Sequence, residues 1–65
     1  MITINGEKKE GYEEISVEEM LLKEGYQKDR IAVERNGEII PKSALKDQLL
    51  HSGDVVEVVS FVGGG

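Results

Sequence analysis

The stretch whose reading decides the fold is Ser52–Gly65, SGDVVEVVSFVGGG. Ser52-Gly53-Asp54 has the composition of a turn, and Val55 to Val62 is a β-branched run of strand length. Side chains alternate along a strand, so Val56 and Val58 point one way while Val55, Glu57, Val59 and Phe61 point the other. An unpaired carboxylate is costly to bury, so Glu57 marks the wet side. Val56 and Val58 are then the core candidates, and Val55, Val59 and Phe61 form an apolar strip on the outer face. A strand with apolar residues on both sides suits the middle of a sheet, which requires neighbours from elsewhere in the chain.

The opening residues supply the first neighbour. Met1 to Asn5 alternates, with Ile2 and Ile4 on one face and Thr3 and Asn5 on the other, and Asn5-Gly6 is a turn. A weaker second strand is read within GEKKEGYEEIS, residues 6–16, completing a hairpin. Ile31 to Glu34 alternates again. Asn36-Gly37 is a strong two-residue hairpin signal, and Glu38-Ile39-Ile40 returns until Pro41 removes a ladder donor. Ser43 is placed to cap a short helical turn running through Ala44, Leu45 and Leu49.

Between the hairpins lies the clearest local signal. Ser16-Val17-Glu18-Glu19 is a capping box that starts a helix at Val17. Glu18 and Glu19 suit its positive end, Lys23 its negative end, and Gly25 is a left-handed stop. Val17, Met20 and Leu21 share the face that would lie on a sheet. The predicted architecture is α+β: a mixed sheet of about five strands with one main helix on one face, the first and last strands being central neighbours.

Composition narrows the function. Sixty-five residues make one domain, with no cysteine for a disulfide and one histidine, His51. Thirteen acids against eight bases give a formal charge of -5, which argues against nucleic acid or an anionic membrane as partner. No segment approaches the ~20 apolar residues of a membrane span, and the start lacks the form of a secretion signal. A soluble, cytoplasmic chain, monomeric when free, is expected.

Side-chain chemistry is sparse. His51 between Leu50 and Ser52 reads as an exposed loop residue. Glu13, Glu14, Glu18 and Glu19 read as a solvated face with a helix cap, and Tyr12 and Tyr26 as partial core or edge cover. Intrinsic catalysis is not expected, nor a metal.

The glycines remain. Residues 1–62 are read as the domain and Gly63, Gly64 and Gly65 as a flexible tail. By composition alone the tail is either a frayed end or the working part. It joins a strand without a polar linker, and its reactive group is the Gly65 carboxylate. Glycine threads a narrow channel with no Cβ to clash, which suits delivery into another protein's active site.

Four stretches together resemble the ThiS family, small ubiquitin-like β-grasp sulfur carriers of thiamine thiazole biosynthesis. They are Ile4-Asn5-Gly6-Glu7, IAVERNGEIIP at Ile31 to Pro41, SGDVVEVV at Ser52 to Val59, and the terminal FVGGG. The resemblance implies a protein co-substrate that is not itself an enzyme. An adenylating enzyme resembling ThiF would use MgATP to activate Gly65, and sulfur from a cysteine desulfurase would give a thiocarboxylate. A synthase resembling ThiG would then accept that sulfur. Val55, Val59 and Phe61 become the expected partner face, with no cofactor bound by the chain itself. A carrier for molybdopterin synthesis or tRNA thiolation, a ubiquitin-like protein modifier and a plain interaction module are the rival readings.

Overall fold

The computed structural model describes residues 1–61. The predicted tail, Gly63–Gly65, and Val62 at the end of the predicted last strand lie outside the described residues, as does the predicted domain boundary after residue 62.

Strand β1 (Ile2–Ile4) turns at Asn5-Gly6 into β2 (Glu7–Lys9). Helix α1 (Val17–Glu24) comes next, and a single 3₁₀ turn (Lys28–Arg30) leads into β3 (Ile31–Arg35). Then come β4 (Glu38–Ile40), a second 3₁₀ turn (Lys42–Ala44) and β5 (Val55–Ser60). The sheet order is β2-β1-β5-β3-β4. β5 is central, parallel to β1 and antiparallel to β3, while both hairpins are antiparallel. This is the mixed five-stranded α+β architecture read from the sequence.

Both hairpin turns use a positive φ at each central residue: 50° and 84° at Asn5-Gly6, 53° and 87° at Asn36-Gly37. Such turns match the right-handed twist of the flanking strands, and asparagine and glycine adopt them at least cost. Ser16 caps α1 by accepting the Glu19 N–H at 3.0 Å. At the other end Gly25, with φ 85°, donates to Leu22 O while Tyr26 N–H reaches Leu21 O. The two bonds make a Schellman stop, and Tyr26 and Leu21 are its apolar pair.

The core lies between α1 and one face of the sheet. Ile2, Ile4, Ile31, Val33, Val56 and Val58 project from the strands onto Val17, Met20 and Leu21, and Leu45 and Leu50 close the side. All eleven are buried, and Tyr12, Ile15, Tyr26 and Ile40 pack around them. The core candidates Val56 and Val58 and the helix stripe are therefore correctly placed.

Three local expectations need correction. β2 ends at Lys9, because Gly11 (φ 88°) and Glu14 (φ 68°) turn the chain before an extended run can form. Tyr12 and Ile15 thus reach the core from a connection. The second helical turn starts at Lys42, ahead of Ser43, with Pro41 in its capping position and no side-chain cap. Proline's fixed φ of -61° sets the entry, which leaves Ser43 inside the turn. The turn also stops at Ala44, so Leu49 is exposed and Leu50 takes the buried position. Backbone bonds from Glu14 N–H to Leu50 O and from Leu50 N–H to Ile15 O pin Leu50 there.

Candidate functional site

The open face of the sheet is defined by what α1 leaves uncovered. Val55, Val59 and Phe61 are 49%, 54% and 57% exposed, whereas Val56 and Val58 are buried. Register extends this face sideways: Val59 stands opposite Ala32, Val55 opposite Thr3, and Ile39 opposite Glu34. Ile39 is exposed as well. Exposed apolar side chains on this face are therefore interleaved with Thr3, Glu34 and Glu57.

β5 is held in place from both sides. Its odd-numbered residues face β3, with Asn36 N–H on Val55 O at 2.8 Å and Phe61 N–H on Arg30 O at 2.8 Å. The second bond carries the ladder one residue beyond the strand and fixes the chain as it leaves the sheet. Even-numbered residues face β1, which ends at Ile4. Past that end, the Asn5 side chain takes over by accepting Val58 N–H at 2.8 Å and donating to Val58 O at 3.2 Å. It also donates to the Tyr26 hydroxyl at 3.2 Å, tying the strand to the stop of α1.

Asn36 does the corresponding job at the start of β5. Its Oδ1 accepts Val55 N–H at 2.9 Å and its Nδ2 donates to Asp54 Oδ1 at 3.1 Å. Asp54 is a buried carboxylate whose other oxygen accepts His51 N–H at 2.9 Å. Charge-assisted bonds of this kind compensate its burial. Sequence reasoning gave Asn5 and Asn36 their turns but missed both clamps, and it missed Asp54. Both clamping residues precede glycine in a hairpin, which was the available signal.

His51 is exposed, as expected for a loop residue. Glu13 forms an ion pair with the Met1 amino group, which holds its carboxyl below the usual range. Among the described residues no three His, Cys, Asp or Glu side chains are grouped to hold a metal ion. Among those residues, too, no helix is long and apolar enough to cross a membrane. A groove of about 550 Å³ beside α1 is lined by Glu18, Leu21, Leu22, Tyr26, Gln27 and Asp29, without a nucleophile-base pair. The described surface thus combines exposed Val55, Val59 and Phe61 with a backbone bond that holds Phe61 to Arg30. Gly65 and the other tail glycines lie outside it.

The model of the ThiS family matches residues 2–65. The crystal structure of a thiamine biosynthesis protein (ThiS) from Geobacter metallireducens is similar, with a TM-score of 0.77 and 34% identity over 98% of this chain and 97% of that one. Thiazole synthase from Paramagnetospirillum magneticum is 41% identical over 64 residues, and thiazole synthase from Magnetococcus marinus 33%. Each match covers 98% of this chain, which spans 20% of the length of either synthase. The uncharacterized protein ycf40 of Porphyra purpurea is 33% identical over 64 residues, 90% of its own length.

Proposed function

The chain belongs to the ThiS family, and from that premise we propose that it is a sulfur carrier of thiamine biosynthesis, loaded at the Gly65 carboxylate. The observation that carries the reading is the extent of the family match. It runs through residue 65, and the clamps of Asn5 and Asn36 hold the central strand that precedes the glycines in sequence. A central strand is the least mobile base from which to present a chain end.

A carboxylate is a poor acyl electrophile, so loading starts with a partner. An adenylating enzyme resembling ThiF joins Gly65 to the α-phosphate of MgATP, and pyrophosphate leaves. The terminal sulfur of a desulfurase persulfide attacks the resulting acyl-adenylate, and AMP leaves. A thiol then cleaves the sulfur–sulfur bond, and the thiocarboxylate remains on Gly65. A synthase resembling ThiG takes that sulfur for the thiazole ring. The names of the two thiazole synthases, each containing a segment similar to this chain, support that acceptor. The strip of Val55, Val59 and Phe61 is the surface these enzymes grip in turn. Its exposure beside a buried core face supports this role.

The test is intact-mass measurement after incubation with the adenylating enzyme, MgATP and a persulfide donor. Replacement of one oxygen by sulfur, localised to Gly65 by fragmentation, is the expected result. An unchanged mass with a demonstrably active enzyme overturns the reading.

A further inference from the structure

Glu34 of β3 and Glu57 of β5 stand directly opposite each other on the open face. The bonds from Asn36 N–H to Val55 O and from Phe61 N–H to Arg30 O set the phase of this ladder. They make Glu34 and Glu57 a hydrogen-bonded pair, with Cα atoms about 5.5 Å apart. Like charges in that position oppose strand pairing. Among the described residues neither carboxylate takes part in an ion pair: those present join the Met1 amino group to Glu13, and Lys9 to Glu7 and Glu24. Around the two carboxylates lie Val55 and Val59 along β5, Ala32 on β3 and Ile39 on β4.

Two like charges directly opposite each other are an unfavourable cross-strand pair in the isolated sheet. This pair and the exposed apolar surface around it become favourable together when a protein surface brings a cation to the doublet and apolar side chains to its surround, because water then leaves both. Resting on the carrier reading above, we infer that the adenylating partner docks here by an arginine seated between Glu34 and Glu57. Arginine fits better than lysine because its planar fork of five donors can engage carboxylates from two adjacent strands at once. A second copy of this chain is a poor occupant. A two-fold contact centred on β5 would bring four such carboxylates together.

The experiment measures adenylation by the ThiF-like enzyme with MgATP at low and moderate salt. It compares the wild type with the Glu34→Gln/Glu57→Gln double variant and with Glu57→Lys. The double variant should raise KM for the carrier about tenfold, leave kcat unchanged and flatten the salt dependence. Its Tm should rise by about 2–5 °C, because the cross-strand repulsion is gone. Glu57→Lys should raise KM further. If the wild type is adenylated and the double variant keeps its KM and salt response, the arginine contact is refuted and the carrier reading stands. A wild type that is not adenylated sinks both. A double variant of lower Tm shows that the carboxylates support the fold and overturns the proposal, as does a dimer held through this face.

Discussion

The Asn5 carboxamide supplies the rung that β1 is too short to give Val58. Its Oδ1 accepts the Val58 N–H at 2.8 Å and its Nδ2 donates to the Val58 carbonyl at 3.2 Å, as a further strand residue would. Val58 is buried, so losing these bonds leaves a backbone donor and acceptor unpaired. The cost should be about 1–3 kcal/mol. Asn5→Gly removes the carboxamide, and with it the bond to the Tyr26 hydroxyl, while glycine keeps the positive φ of 50° without strain. Urea unfolding should show the loss as a lower midpoint with an unchanged slope. An unaltered midpoint would mean that water replaces the carboxamide freely.

Most of the fold was legible because its local signals agree with its burial. Ser16, Gly25 and the two Asn-Gly pairs each dictate a backbone conformation chemically, and the alternation of Val55 to Val59 assigns its own faces. The segments 10–15 and 42–50 were less legible for a physical reason. Their side chains are placed by long-range backbone bonds, such as Leu50 N–H to Ile15 O, and no periodicity announces those. In the candidate site the apolar strip was readable from period two. The Glu34–Glu57 opposition was not, since it depends on the register between strands distant in sequence.

Gly25 isolates the value of a left-handed stop. An added Cβ would meet no heavy atom within 4 Å, so Gly25→Ala introduces no clash and tests backbone strain alone at φ 85°. The expected destabilisation is about 1 kcal/mol, a fall in Tm of about 4–8 °C for a domain of this size. Calorimetry checks it, and Gly25→Asn should recover part of the loss because asparagine tolerates this conformation.

Tyr12 confers a dependence on alkaline pH. Its hydroxyl donates to Glu24 Oε2 at 2.5 Å, and this bond, more than slight burial and the Glu24 charge, raises its pKa above the ordinary 10.0. The folded state therefore favours the protonated phenol. That stability is fully present below about pH 10, where the unfolded phenol begins to ionise, and is lost as pH rises through the higher folded value. The stability difference between wild type and Tyr12→Phe should be flat through neutral pH and shrink above about pH 10. A difference that grows with pH would contradict the bond.

Val59 and Phe61 test the docking strip separately from the fold. Both are more than half exposed, so Val59→Ser/Phe61→Ser should leave Tm within about 3 °C of the wild type. Partner-dependent adenylation should nevertheless weaken, with KM for the carrier raised about tenfold or more, as expected when apolar anchors are truncated. Unchanged adenylation kinetics would remove the strip from the mechanism.

Gly65 carries the sharpest prediction because two alterations there separate chemistry from docking. Conversion of its carboxylate to an amide keeps every residue and the whole folded surface, yet removes the oxygen nucleophile that must attack MgATP. The amidated chain should fail to become adenylated while still competing with the unmodified chain for the enzyme, its inhibition constant lying near the carrier's KM. Deletion of Gly65 leaves Gly64 with a free carboxylate one residue short. An extended residue spans about 3.3–3.6 Å, more than near-attack geometry tolerates, so adenylation should fall by at least about 100-fold with binding retained. If either altered chain accepts sulfur at the wild-type rate, the cargo is not carried on the Gly65 carboxylate.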